Sequence, residues 1–107
     1  MKEADKQARI FKMLSVGTRV RMLELLKDRS LCVNALARKL NVSPAAVSQH
    51  LRVLRDADIV VADKKGYFVH YKVNKRTLAE WRRVADKLLE LKGSNSGCRD
   101  ADKKTAL

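Results

Sequence analysis

The spacing of apolar side chains switches from a helical to a strand period near residue 58, and the place where it switches limits the folds open to this chain. Up to about residue 57 apolar side chains recur every three or four residues, the period of an amphipathic helix. From Tyr67 to Val73 they alternate, the period of a half-buried strand. A first helix reads over residues 4–14, with Ile10, Phe11 and Leu14 on one stripe. Val16-Gly17-Thr18 interrupts it, and Thr18 is the candidate N-cap of a second helix over 19–28, in which Met22, Leu23, Leu25 and Leu26 recur at helical spacing. Asp28-Arg29-Ser30 ends that helix. Leu31-Cys32-Val33 is a short apolar link with room for one strand pairing, and a third helix covers 33–41, with Leu36 and Leu40 on one face. Asn41-Val42 makes a tight turn. Ser43-Pro44 then opens a fourth helix over 44–57, because Ser satisfies free amides at a helix start and Pro at the first position has no N–H to leave unbonded. Val47, Leu51 and Leu54 line its buried face.

Beyond the change of period, Ile59-Val60-Val61-Ala62 is short and β-branched. Asp63-Lys64-Lys65-Gly66 reads as a turn, with Gly66 suited to a positive φ. Tyr67, Val69, Tyr71 and Val73 then fall on one face and Phe68, His70 and Lys72 on the other, which is a β-hairpin pattern. A last helix over about 75–92 carries Leu78, Trp81, Val84, Ala85, Leu88 and Leu91. Gly93-Ser94-Asn95-Ser96-Gly97 breaks it. The expected organisation is one domain over 1–92 and a flexible tail over 93–107. Two short helices joined by a tight turn, followed directly by a hairpin, make the expected fold mainly α with a small β-hairpin wing: a winged helix-turn-helix. With 4 Gly and 1 Pro the chain lacks the turns a β-sandwich needs.

Charge narrows the partner. The 107 residues carry a formal net charge of +12, and 46 % of them are apolar, enough to rule out a wholly disordered chain. Residues 38–76 are the most basic third, with nine Lys or Arg against Asp56, Asp58 and Asp63. Such an excess is either a solvated surface that happens to be basic or a face made for phosphates. No apolar run approaches the roughly 20 residues of a bilayer span, and the polar N-terminus lacks a secretory signal, so no membrane partner and a cytoplasmic location are expected. Two cysteines in an intracellular chain argue against a disulfide scaffold.

The fourth helix carries the candidate contacts. Opposite its buried stripe lie Ala45, Ala46, Ser48, Gln49 and Arg52, with Ser43 at its start. Gln pairs bidentately with adenine, Ser bonds to a base edge, and Ala touches a thymine methyl and permits close approach. The helix dipole favours a phosphate near its N-terminus. His50 has two uses open to it, a hydrogen bond to phosphate or packing against the turn. Lys64 and Lys65, placed at the hairpin tip, reach a neighbouring phosphate or the minor groove. His70 reads as a solvated strand residue, and Asp86 and Glu90 as a solvated helix face.

The runs Leu31-Cys32-Val33-Asn34-Ala35-Leu36-Ala37, Ser43-Pro44-Ala45-Ala46-Val47-Ser48-Gln49-His50-Leu51-Arg52-Val53-Leu54-Arg55 and Gly66-Tyr67 to Tyr71, with Gly17-Thr18-Arg19-Val20-Arg21-Met22-Leu23 before them, resemble the ArsR/SmtB family of winged helix-turn-helix repressors. The resemblance covers roughly residues 5–92. It implies a homodimer on an inverted-repeat operator in double-stranded DNA, released by a metal, metalloid or redox signal. It also implies a dimer interface from the first and last helices, which agrees with the stripe Ile10, Leu14, Leu78, Trp81, Leu88 and Leu91. Of these, Trp81, Leu88 and Leu91 have little else to bury against in so small a chain.

The chain departs from the family pattern at the inducer site. Arsenic and cadmium sensors carry Cys-x-Cys at the start of the third helix, where this chain has Cys32 and then Asn34. Zinc and nickel sensors place His and carboxylate ligands on the last helix, which here has Asp86 and Glu90 but no His. Cys32 stands where a helix N-cap is expected, and a helix N-terminus favours the thiolate. One reading makes Cys32, with Cys98 in the tail, a thiol sensor that takes a thiophilic metal or metalloid, or oxidises. The other makes Cys32 a small apolar residue and Cys98 incidental. Cys32 is the one candidate metal ligand. The competing functional class is a winged-helix protein-interaction module that has lost specific DNA binding. An enzyme is not expected, for there is no Gly-rich phosphate loop, Ser/His/Asp order or metal-ligand cluster.

Overall fold

Five helices and one antiparallel hairpin follow one another as α1 (Glu3–Met13), α2 (Gly17–Leu26), α3 (Val33–Leu40), α4 (Pro44–Asp56), β1 (Val60–Lys65), β2 (Phe68–Val73) and α5 (Lys75–Leu89). The computed structural model describes residues 2–91. The expected tail over 93–107, and Cys98 within it, lie outside the described residues.

One core joins α2, α3, α4 and the hairpin. It comprises Met22, Leu23, Leu26, Leu36, Ala37, Leu40, Val47, Leu51, Leu54, Ile59, Val60 and Val73. The helical members sit at spacings of three and four, so each helix gives one stripe to the core. Leu31, Val33, Val42, Tyr71, Leu78 and Trp81 pack against its edge.

The turn between α3 and α4 is built from two complementary ends. Asn41 adopts the left-handed conformation (φ 55°) and the Val42 N–H donates to the Ala37 carbonyl at 3.1 Å, closing α3. Ser43 Oγ then accepts from the Ala46 N–H at 3.1 Å, and Pro44 takes the first helical position. This is the expected helix start, and it fixes where α4 begins.

The exit of α4 is a second left-handed corner, at Asp58 (φ 63°). The Asp58 N–H donates to the Arg55 carbonyl at 2.9 Å and the Ile59 N–H to the Leu54 carbonyl at 3.1 Å. The Thr77 hydroxyl donates to Asp58 Oδ2 at 3.3 Å, and the Asn74 N–H donates to the Ile59 carbonyl at 2.8 Å. Asn74 also caps α5, its Oδ1 accepting from the Arg76 and Thr77 N–H groups. The start of α5 is thereby tied to the end of α4.

The hairpin pairs Val60 with Val73 through to Lys65 with Phe68. Leu31 adds a bridge to Tyr71, each N–H donating to the other's carbonyl at 3.0 and 2.8 Å, so the short apolar link does pair as a strand. The expected turn at residues 63–66 is corrected. Asp63, Lys64 and Lys65 belong to β1, and the turn is Gly66-Tyr67. Gly66 alone takes a positive φ (64°), as the first central residue of a type II′ turn does, and two residues then suffice. Tyr67 accordingly leaves the alternating face and sits in the turn.

Two smaller expectations also change. The second helix opens at Gly17 with Val16 as its N-cap, because the Val16 carbonyl already accepts from the Arg19 and Val20 N–H groups; Thr18 lies inside the helix. And α1 packs against α5 within one chain. Ile10 is buried there, while Leu14, Leu78 and Trp81 pack against the core. The expectation that Trp81 has little to bury against within the chain is therefore corrected, while Leu88 and Leu91 are exposed.

Candidate nucleic-acid interface

Helix α4 has two unlike faces. Val47, Leu51 and Leu54 are buried and fix its roll and tilt against α3 and β1. Ala45, Ser48, Gln49, Arg52 and Arg55 are exposed and form a single stripe at spacings of three and four. Ala46 and His50 flank that stripe and are half-buried. Ser43 is exposed, but its hydroxyl oxygen is engaged as the cap. Its contribution is to hold the first turn of α4 in place.

A groove runs between this helix and the hairpin, lined by Ser48, Leu51, Arg52, Arg55, Asp56 and Tyr71. Two guanidinium groups, of Arg52 and Arg55, border it, and Leu51 and Tyr71 give it apolar lining. Arg55 is the residue that sequence reasoning missed. Its signal was present, seven residues after Ser48 and three after Arg52 on the same stripe, one turn beyond the point where that reading stopped.

The lysines stand at the end of the hairpin. Lys64 pairs with Val69 and Lys65 with Phe68, so the two point to opposite faces of the ribbon and both are exposed. His70 is half-buried opposite Asp63, where full solvation was expected. Asp86 is solvent-facing and pairs with Arg82 at 3.6 Å; a surface pair of this kind contributes about 0.3–0.5 kcal/mol at most.

Cys32 is the N-cap residue of α3 and is half-buried, with no hydrogen bond from the helix amides to its sulfur. Among the described residues no three His, Cys, Asp or Glu side chains lie close enough together to hold a metal ion. Among the same residues no helix is long and apolar enough to cross a membrane. Among the described residues the exposed large apolar side chains are Tyr67, Phe68 and Val69 at the hairpin end, and Phe11, Leu88, Leu89 and Leu91 on or beside the terminal helices.

Comparison with known proteins bears on this arrangement. The sequence model of the family described as "Bacterial regulatory protein, arsR family" matches residues 17–61, which run from the start of α2 into β1. The transcriptional repressor SdpR of Bacillus subtilis is 32 % identical over 71 residues, covering 66 % of this chain and 79 % of that protein. A transcriptional repressor SmtB homolog of Synechocystis is 35 % identical over 89 residues, covering 82 % of this chain and 67 % of the relative. Among solved structures, the homodimeric winged helix-turn-helix DNA-binding domain of Mb0332 from Mycobacterium bovis superposes with a TM-score of 0.63. It is 28 % identical and covers 87 % of this chain and 90 % of its own.

Proposed function

Since the chain belongs to the arsR family of bacterial regulatory proteins, a family of transcriptional regulators and not of enzymes, we propose that it is a homodimeric repressor that binds an inverted-repeat operator in duplex DNA. One observation carries this reading. The exposed stripe Ala45, Ser48, Gln49, Arg52 and Arg55 is held at a fixed angle by a buried stripe on the same helix, beside a hairpin that ends in two lysines. Small residues let the helix approach the major groove, Gln49 reads a base edge, and Arg52, Arg55, Lys64 and Lys65 take phosphates. Ser43 and the first-turn amides present the positive end of α4 to the backbone. Two such helices in a dimer sit about one DNA turn apart, roughly 34 Å. The Mycobacterium bovis neighbour is described as a homodimer, which supports the same assembly here.

The test is binding to duplex across a salt series. Phosphate contacts make affinity fall steeply as salt rises, whereas a protein-docking module shows no such slope. Gln49→Ala is expected to lower preference for the selected site more than it lowers affinity for unrelated duplex. Equal losses on both would remove Gln49 from base reading.

The releasing signal belongs to the same reading: a thiophilic metal, a metalloid or an oxidant acting at the Cys32 thiol. Operator binding of the reduced protein is titrated with arsenite, zinc, cadmium and a persulfide donor, with Cys32→Ser alongside. One of these is expected to release wild type and spare the variant. Identical release curves would take Cys32 out of sensing.

A further inference from the structure

The end of the hairpin carries apolar surface that folding does not use. Tyr67 is fully exposed, Phe68 is 63 % exposed and Val69 37 %, and none of the three is a member of the buried core. They are consecutive, and they sit at the farthest point of the ribbon from α4. Lys65 lies beside Phe68 on one face of the ribbon and Lys64 beside Val69 on the other, so the apolar tip has a cation behind it on each side.

Geometry selects the occupant. The base of the ribbon already borders the stripe on α4, since Tyr71 lines the groove with Ser48, Arg52 and Arg55. Tyr67 stands four residue steps from Tyr71 along the ribbon, a reach of about 13 Å. From a helix seated in the major groove, the adjacent minor groove is half a turn away, roughly 17 Å, which the length of a tyrosine side chain completes. The minor groove is about 6 Å wide, so a side chain enters it and a two-stranded ribbon does not. A two-residue turn with an aromatic at its second position is narrow enough to present one ring there.

We propose that Tyr67, backed by Phe68, is an apolar wedge that enters the minor groove flanking the recognised site and bends the duplex, while Lys64 and Lys65 hold phosphates on its two edges. The inference rests on the duplex-binding reading above and adds to it a point of specificity that uses no hydrogen bonds. Apolar side chains that open a base step do so most easily at pyrimidine–purine steps, which unstack at least expense. The chain is therefore expected to prefer such a step at a fixed distance outside the site read by Gln49.

The experiment uses the full chain. Duplexes bound by wild type are selected from a random library, and the bend of a selected, end-labelled duplex is read by energy transfer. Wild type is expected to enrich a pyrimidine–purine step at a constant offset and to bend the duplex. The double variant Tyr67→Ala/Phe68→Ala is expected to lose the bend and the enrichment and to bind about tenfold more weakly, with its circular dichroism spectrum unchanged because both residues are exposed. Tyr67→Phe keeps all three properties. A double variant that bends and selects as wild type does overturns the wedge and leaves the duplex-binding reading standing. Wild type that binds phosphatidylserine vesicles and no duplex overturns both.

Discussion

Asp58 carries two opposing contributions to stability. Its left-handed backbone strains any residue with a Cβ, by roughly 1–2 kcal/mol, although Asp tolerates it better than most. Against this, its carboxylate accepts from the Thr77 hydroxyl and holds α5 to the corner, a bond that contributes about 1 kcal/mol. Asp58→Gly relieves the first and loses the second, so the two nearly cancel. Asp58→Ala keeps the strain and loses the bond. The alanine variant is therefore expected to be less stable than the glycine variant by about 1 kcal/mol, read as a lower urea midpoint at equal slope and equal protomer concentration. Equal midpoints would mean that the corner is not strained. This residue also marks what the sequence concealed. An aspartate near a helix end is an ordinary observation, and its left-handed backbone and its bond to Thr77, nineteen residues on, depend on contacts that no local pattern encodes.

At the scale of elements, legibility followed the strength of the local signal. The helix-turn-helix was readable because Ser43 and Pro44 mark one boundary by chemistry, and Leu36, Leu40, Val47, Leu51 and Leu54 mark the faces by period. The stripe on α4 was readable for the same reason, being whatever the apolar stripe is not. The hairpin turn was displaced because Asp63, Lys64 and Lys65 are poor strand formers taken singly. Their pairing with His70, Val69 and Phe68 overrides propensity, and a single glycine at Gly66 closes the ribbon in two residues. The displacement has a functional consequence: the lysines are strand residues facing opposite sides of the ribbon, not a flexible tip. Replacing both with Ala is thus expected to weaken binding to all duplexes alike and to flatten the salt dependence by at most about two units, one per phosphate contact. A change of sequence preference in that variant would assign Lys64 or Lys65 to base reading instead.

At the scale of the whole molecule, the terminal helices decide the working unit. Sequence reasoning left their entire apolar stripe for a second copy, but α1 and α5 meet within one chain and bury Ile10 between them, with Lys87 and Glu3 paired at 3.2 Å across their ends. What remains open is a smaller set: Leu88 at 49 % exposure, Leu89 at 67 %, Leu91 at 96 %, and Phe11. Leucines clustered at the end of a helix and left in water make a surface that a second copy would match by two-fold symmetry, and we propose this patch as the dimer contact. Each fully buried leucine contributes about 1.5–3 kcal/mol, so two charges placed there oppose association strongly. Leu88→Glu/Leu91→Glu is expected to sediment as a monomer while keeping its helical circular dichroism, since neither side chain belongs to the core. The consequence for DNA follows from linkage. A dimer binds its second half-site at the effective concentration set by the first, an advantage of a hundredfold or more over independent monomers, on the order of 10² to 10⁴. The variant should therefore lose at least about a hundredfold in affinity for an inverted repeat and almost none for a single half-site. A variant that still sediments as a dimer would move the interface elsewhere, to the part of α1 and α5 that faces away from these leucines.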